Sequence, residues 1–420
     1  MNYLFSRYFY ALGACSLLAG CAANSWQIHS EPTSEEVAEM LTIEQPATKR
    51  WNMTDSNLPQ LTVPKNVRPC CAFGDMQKVN LGPVRIPFFR LNNVVGLEHI
   101  GPHKFASGIY HYTSSSSSAL GHGGGENNGI LYTTKGGFID LAHVRDTADD
   151  TIGLFFEILS NLGKDHRIEL PAELGPRYIE MKDFDVSRLN DEQKWLVAAH
   201  LAARLAYFKA ESHEIAQWHG YASFAGWPET ISAYSLEDLY SNMLGAKITL
   251  NLIKQHKVLS ETDYNQNVSL WLNATLKELG IVDKAESKAV LAAVDGIWWN
   301  SQEPIPNKYM VLKRHYDLGD HQVPYLLPRE LADQYPDLQP LGDASPTVIS
   351  LPSNVESIEL DDVAKLVLEI DARYAETFNH IPATIWSTRI EHPQFHVIAQ
   401  YAKELDNKDL EMLATNDAEN

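Results

Sequence analysis

The chain has 420 residues, of which 44% are hydrophobic and 21% charged, and its formal net charge is −20. These fractions are typical of folded proteins and exclude a disordered chain, a collagen-like repeat and a multi-span membrane protein. The acidic balance argues against a general nucleic-acid role, because a negative surface repels phosphate backbones. Four cysteines are too few for a disulfide scaffold.

The first twenty residues have the features of an export signal. Arg7 precedes an apolar stretch, residues 8–19, that is too short to span a bilayer of about 30 Å. The stretch ends in Leu18-Ala19-Gly20-Cys21, and small residues before a cysteine are typical of bacterial lipoprotein signals. We therefore expect Cys21 to be lipidated after removal of residues 1–20; an ordinary cleaved signal peptide is the alternative. Ala22 at the second mature position favours an outer-membrane lipoprotein that faces the periplasm on its lipid anchor.

The rest of the chain divides by composition into three parts. Residues 21–61 are polar, contain prolines and an acidic run over 34–39, and are predicted to form a tether with one short helix. Residues 62–330 are predicted to form a globular domain, and residues 331–420 a C-terminal extension whose last twenty residues form a solvated acidic tail. The predicted fold is mainly α, in the α+β class: a helical body with a short β- and loop-rich N-terminal part.

Helical patterns dominate the predicted domain after a Gly-Gly break at 136–137. Asn190 followed three residues later by Gln193 is typical of a capping box, and Ser235 starts a similar pattern. The predicted helices cover residues 138–162, 190–219, 235–256, 261–279, 284–299 and 360–378.

The first of these helices carries polar residues at helical spacing. Asp140, His143, Thr147 and Asp150 recur every three or four residues, so they share one face. A histidine with a carboxylate one turn away is suited to metal binding, or to proton transfer with an oriented imidazole. Arg145 and Asp149 fall on the opposite side, where a surface ion pair is expected, and a hydrogen-bonded structural role is the alternative for His143.

The second helix carries a longer polar stripe on an alanine-rich background. Its six members fall within about 40° of one line: His200, Arg204, Tyr207, Glu211, Glu214 and Trp218. Such a stripe can be buried only if its members satisfy one another. A solvated outer face is the alternative.

Part of a zinc-protease motif lies in the same helix. His213 and Glu214 begin the pattern H-E-x-x-H, but Gln217 stands where the second histidine is required. A rearranged zinc site would need His143 from the first helix and a carboxylate from the start of the third, where Glu237 and Asp238 lie. Both acids also suit a helix N-terminus, whose dipole favours negative charge.

Several sequence blocks stand out along the predicted domain. They are RPCCAFG (68–74), NGILYT (128–133), GGFIDLAHVRD (136–146, ending in Asp146), HEIAQW (213–218), SLEDLYSN (235–242) and DGIWW (295–299). In this order they resemble the signature blocks of a bacterial lipoprotein family, the domain-of-unknown-function family 4056. The resemblance extends from about Val63 to Asp320, and the family's name implies no activity.

Adjacent cysteines offer a competing chemistry. Cys70 and Cys71 are the thiols left after signal removal and lipidation. Either could serve as a nucleophile with His122 or His143 as base, in a periplasmic thiol hydrolase. A turn-forming disulfide in an oxidising compartment is the alternative.

Together these patterns predict a metal-assisted hydrolase acting on an unidentified envelope substrate. In this hypothesis zinc is the cofactor, bound by His143, His213 and Glu237, and Glu214 is the general base. Arg145 or Arg204 would stabilise developing negative charge. Further candidates are Asp140, Asp146, Asp238, His200, Glu211, Cys70 and Cys71. A non-catalytic structural or binding lipoprotein, in which a buried polar network fixes helix packing, is the main alternative. The sequence names no protein partner for either hypothesis.

Overall fold

The architecture is given by a computed structural model, which describes residues 31–42, 61–65, 73–75, 78–81, 84–87, 94–106, 110–111, 126–223 and 229–419. The helices are α1 (Ser34–Thr42), α2 (Leu141–Asn161), α3 (Asp191–Trp218), α4 (Asp238–Lys254), α5 (Glu261–Glu278), α6 (Lys284–Ala293), α7 (Arg329–Ala332), α8 (Leu360–Val363) and α9 (Phe395–Glu419). The fold is therefore mainly helical, as predicted.

The strands form small sheets around this helical body. The first eight strands are β1 (Lys78–Leu81), β2 (Val84–Pro87), β3 (Tyr110–His111), β4 (Glu126–Asn127), β5 (Ile130–Thr133), β6 (Gly137–Asp140), β7 (His166–Leu170) and β8 (Arg177–Met181). The others are β9 (His321–Gln322), β10 (Ile349–Ser350), β11 (Asn354–Val355), β12 (Ile358–Glu359), β13 (Ala364–Glu369) and β14 (Arg389–Glu391). The largest sheet is antiparallel in the order β14-β13-β8-β7, and the remaining strands form two-stranded pairs.

Side-chain caps mark where α2 and α3 begin, whereas α4 begins at Asp238 without a side-chain cap, so the capping pattern predicted to start at Ser235 is wrong. Asn190 and Gln193 form the predicted capping box at the start of α3. The first predicted helix begins later than expected, because residues 137–140 pair with β5 as strand β6. Asp140 ends this strand and caps α2, where its Oδ1 accepts a hydrogen bond from the Ala142 N–H at 2.6 Å.

Helices α2, α3 and α4 pack against one another and form the centre of the molecule. Alanines on α3, including Ala199, Ala203 and Ala206, are fully buried and allow close approach. Gly245 allows α4 to approach α2 closely, because a Cβ there would collide with the Val144 carbonyl oxygen. This packing brings the start of α2 next to the start of α4.

The polar stripe of α3 is buried, and the expectation of a solvated outer face is wrong. All six members have exposed fractions of 9% or less. Arg204, for example, is paired with Asp320 at 2.5 Å and with Asp361 at 3.0 Å. Residues from the C-terminal third of the chain therefore cover this face and supply its partners.

Residues 331–420 are built into the same body. Strand β13 pairs with β8 over five residue pairs, so the helix predicted over 360–378 is wrong at Ala364–Glu369. Helical structure in this range is limited to the single turn of α8 and a 3-10 helix at Ala372–Phe378. The acidic tail is the end of helix α9, and its Asp406 is buried, accepting a hydrogen bond from Tyr316 Oη at 2.9 Å. The prediction of a fully solvated tail is therefore wrong for this residue.

The described part of the predicted tether contains the short helix expected there. Val37, Met40 and Leu41 of α1 are buried in the main core. The predicted signal segment, Cys21 and the Cys70-Cys71 pair lie outside the described residues. Where the structure describes helices, none combines the length and the apolar character that crossing a bilayer requires.

Candidate functional site

His143 lies in the first turn of α2, beside the first turn of α4. Its Nδ1 is 3.2 Å from Asp238 Oδ1 and 3.4 Å from Asp140 Oδ2. Two carboxylates at this nitrogen favour a proton on Nδ1, which leaves Nε2 as the basic nitrogen. The side chain is 12% exposed, whereas those of Asp140 and Asp238 are buried. The imidazole of His143 is therefore fixed by buried carboxylates, while part of its ring remains exposed.

His213 lies on α3 and is also held by a carboxylate. Its Nδ1 is hydrogen-bonded to Glu173 Oε1 at 2.8 Å, and its Nε2 lies 3.0 Å from Gln217 Nε2, which is placed to donate to it. Gln217 also donates to Glu229 Oε2 at 3.1 Å. The glutamine that breaks the zinc-protease motif thus joins His213 to a buried carboxylate, and both ring nitrogens of His213 have partners within the protein.

Glu214 connects the two histidines electrostatically. It is 1% exposed, and its Oε2 accepts a hydrogen bond from the Tyr234 N–H at 2.5 Å. Its Oε1 has no hydrogen-bond partner among the residues that the structure describes. Burial raises the pKa of this carboxyl, although His213 and His143 oppose the change. The raised pKa favours a protonated Glu214, which suits a proton donor better than the general base predicted from the sequence.

An ion-pair chain extends the site along α2 and α3. Lys209 Nζ is 2.5 Å and 2.6 Å from the two oxygens of Asp150. Burial raises the pKa of Asp150 despite Lys209, and nearby Asp146 adds to the rise. Arg177 contacts Glu173 at 2.7 Å. The charges of α2, α3 and the start of β8 are therefore coupled around His213.

The three predicted zinc ligands are held in different ways. His143 contacts Asp140 and Asp238, and His213 is hydrogen-bonded to Glu173, while Glu237 is a buried residue at the start of α4. Within the described residues, no group of three or more His, Cys, Asp or Glu side chains is arranged to hold a metal ion. The residues as placed do not fit a zinc centre, and zinc binding stays a prediction.

The two arginines predicted to stabilise negative charge have other partners. Arg145 is buried and donates to the Asn127 carbonyl at 3.1 Å and to Asn128 Oδ1 at 2.8 Å. The surface ion pair expected with Asp149 is wrong, because Asp149 is also buried. Arg204 is bound by Asp320 and Asp361, so each guanidinium is committed to a structural contact.

Two further candidates lie along α3 outside the His143–His213 region. Burial and the nearby Lys254, Lys247 and Arg204 lower the pKa of His200 to about 3. Burial raises the pKa of Glu211 to about 8, and its Oε1 accepts from the Gly319 N–H at 2.6 Å. A neutral buried imidazole at His200 and a neutral buried carboxyl at Glu211 suit a structural role in the packing of α3.

Sequence reasoning missed the partners of His213. Glu173 lies in the turn before β8, forty residues upstream of His213, and no spacing links the two. Glu229 lies in a short 3-10 turn after α3. Lys209 could have been assigned to the site from the sequence, because it precedes His213 by four residues and so lies on the same helix face.

The chain was compared with protein families, curated proteins and solved structures. No curated protein and no solved structure matches it. One family model, described as "Protein of unknown function (DUF4056)", matches residues 58–328, which is more than half of the chain and includes α2, α3 and α4. The match contains every residue of the site described above. The chain therefore belongs to the DUF4056 family.

Proposed function

We propose that this chain is an envelope lipoprotein that hydrolyses an envelope substrate by general acid–base catalysis. The observation that supports this most is that an imidazole, His143, and a buried carboxyl, Glu214, lie near each other. His143 has two carboxylates at Nδ1 and a partly exposed ring, and Glu214 nearby is buried with a raised pKa. An oriented imidazole beside a carboxyl whose pKa is raised by burial is an arrangement that assigns a base and an acid.

His143 acts as the base in this proposal. Asp238 and Asp140 hold the proton on Nδ1 and stabilise the imidazolium that forms. Nε2 takes a proton from a water molecule while the water oxygen attacks the carbonyl carbon of an ester or amide. The reaction thus needs no thiol and no metal-bound water.

Glu214 acts as the acid. It gives its proton to the leaving oxygen or nitrogen as the bond to the carbonyl carbon breaks. The proton taken up by His143 then returns to Glu214, so one water molecule is consumed and the protein is unchanged. His213 is a positioning residue, because Glu173 and Gln217 hold its ring beside Glu214 on the same helix.

The location is proposed from the N-terminal sequence. Lipidation of Cys21 would anchor the protein to the outer membrane, with the body in the periplasm. The substrate would then be a component of the envelope such as a peptide, a peptidoglycan stem or a lipid ester.

The test uses the full chain in detergent with isolated cell walls, peptides and lipid esters, and detects products by mass spectrometry. His143→Gln and Glu214→Gln are each expected to lower kcat by about 10²–10⁴-fold. Two matched controls should keep activity. His166→Gln alters another histidine beside a carboxylate, Glu157 at 3.3 Å, and Glu211→Gln alters another buried glutamate of α3.

The same assay distinguishes the alternatives. Stoichiometric zinc that is lost in His213→Ala, with activity lost to chelators, would replace this mechanism with the metal-assisted one. Loss of activity on alkylation of Cys70 and Cys71 would favour the thiol hydrolase. Hydrolysis that survives both His143→Gln and Glu214→Gln would refute the proposal, as would a full substrate panel without any product.

A further inference from the structure

A second set of buried polar side chains lies on α3 and α4, apart from the proposed catalytic pair. Asn251 and Lys254 are three residues apart on α4 and therefore share one helix face, and His200 is on α3. Lys254 acts electrostatically on His200, so the two side chains lie close together. We call these three residues the donor cluster. It is separate from the catalytic site, because His200 and His213 are roughly 20 Å apart along α3.

Each member of the donor cluster is buried and lacks a partner for a polar group. The exposed fractions are 2% for His200, 6% for Asn251 and 2% for Lys254. Among the residues that the structure describes, His200 Nδ1 and Asn251 Nδ2 have no hydrogen-bond partner, and Lys254 Nζ forms no hydrogen bond and no ion pair. Ammonium and amide N–H groups only donate, and a histidine Nδ1 can carry the ring proton. A ligand that satisfies all three groups must therefore be an acceptor.

The buried charge of Lys254 indicates that this acceptor is an anion. Lysine is almost never buried this deeply unless it is paired. Burial lowers the pKa of Lys254 to about 8, and Glu39 of α1, which packs against α4, opposes the change without forming an ion pair. With this pKa most of the Lys254 side chains are protonated at pH 7. An ammonium without a direct counter-ion is thus held inside the protein, which is costly unless a negative group meets it.

Neighbouring cations add to the positive potential at the donor cluster. Burial, Lys254, Lys247 and Arg204 all disfavour a protonated His200. Two aspartates are paired with Arg204, whereas Lys247 donates to the Ser350 carbonyl oxygen at 2.8 Å. The positive charge that favours an anion here therefore comes mainly from Lys254, with Lys247 nearby.

We propose that the donor cluster binds a small phosphate, either inorganic phosphate or the end group of a phosphomonoester. Its oxygens accept hydrogen bonds from Lys254 Nζ, Asn251 Nδ2 and His200 Nδ1, and its charge supplies the counter-ion that Lys254 lacks. A phosphate group has at least three acceptor oxygens for these three donors, whereas a carboxylate has two. Because the members are buried, the ligand must be small. The proposal does not depend on the hydrolysis proposed above.

Calorimetric titration tests the proposal with the full chain in detergent. The probes are inorganic phosphate, methyl phosphate and acetate, at an ionic strength of about 0.15 M that is set with chloride. We expect at least one of the two phosphate probes to saturate at one per chain and acetate to bind at least about tenfold more weakly. The phosphate should also shift the imidazole NMR signals of His200 and leave those of the exposed His321 in place.

Two variants locate the binding. Lys254→Gln removes the ammonium, and Asn251→Asp replaces a donor by a negative charge without a change in size. Each should weaken phosphate binding at least about tenfold. Lys277→Gln is the matched control, because Lys277 also lies in the last turn of a helix, α5, but is exposed. Circular dichroism checks that each variant is folded, and either cluster variant alone is enough for the test.

The outcomes decide between a phosphate site and its alternatives. Phosphate binding that a cluster variant weakens and Lys277→Gln does not supports the proposal, and the tighter of the two phosphate probes identifies the source of the ligand. Absence of binding by both phosphate probes overturns the proposal, as does tighter binding of acetate. Phosphate binding that survives the cluster variants, or that leaves the His200 signals in place, lies elsewhere and also overturns it.

Discussion

Replacement of Glu211 by glutamine is expected to stabilise the protein at high pH. Burial raises the pKa of this carboxyl from 4.5 to about 8. Between these two pH values the unfolded chain loses the proton while the folded chain keeps it, so folding becomes less favourable as the pH rises. A rise of this size corresponds to about 5 kcal/mol at pH values above 8.

Glutamine removes the ionisation and keeps the acceptor oxygen for the Gly319 N–H. Glu211→Gln should therefore change the free energy of unfolding little at pH 4.5 and increase it by up to about 5 kcal/mol at pH 9. Urea unfolding followed by tryptophan fluorescence at both pH values measures the difference. Glu404→Gln on α9 changes an exposed glutamate and should show no such pH dependence. A stability change of the same size at both pH values would refute the reasoning.

Three further predictions concern other parts of the molecule. Burial disfavours a charged His103, but Asp149 and Glu126 outweigh burial and raise the pKa of His103 to about 9. The stability that the protonated imidazole adds is complete below pH 6.5 and is lost as the pH rises through 9. His103→Gln should abolish this pH-dependent loss when the free energy of unfolding is measured in urea. Gly245→Ala should destabilise the protein by about 1–3 kcal/mol, because the new Cβ meets the Val144 carbonyl; a Tm equal to that of the parent would contradict this. Cys21→Ser should prevent fatty-acid labelling and release the protein from the membrane fraction, and continued labelling would disprove the assigned lipidation position.

Some helix starts could be predicted from signals that lie within a few residues. The Asn190–Gln193 capping box marks the start of α3 in the sequence and in the structure. The helix predicted over 284–299 likewise begins correctly, at Lys284 of α6, but ends six residues early. Gly296, with φ of +80°, turns the chain there into a local bridge between Asp295 and Trp299.

Strand β13 could not be predicted from local signals. Its sequence, Ala364–Glu369, follows a helical pattern and was expected to continue α8. The strand conformation is stabilised by β8, which lies more than 180 residues upstream, and by β14 on its other side. Such non-local pairing overrides weak helix propensity and leaves no trace in a short window.

The sequence predicts which helices carry the site residues, but it does not predict which residues of other elements contact them. Helical spacing places His143 beside Asp140 on one face, and it puts Glu214 on the stripe of α3. The contact of His143 with Asp238 joins residues 95 positions apart, so it depends on how α2 and α4 pack. The sequence offered both Glu237 and Asp238 and the zinc hypothesis chose Glu237, whereas the acid that contacts His143 is Asp238.

Strand β13 also bears on how this family can be studied in pieces. The family match ends at residue 328, yet β8 has β13 as its neighbour on one side. A fragment cut at the family boundary would present the bare N–H and C=O groups of β8 to solvent, and Arg204 would lose Asp361. Exposed edges of this kind recruit strands from other molecules, so such a fragment is expected to self-associate.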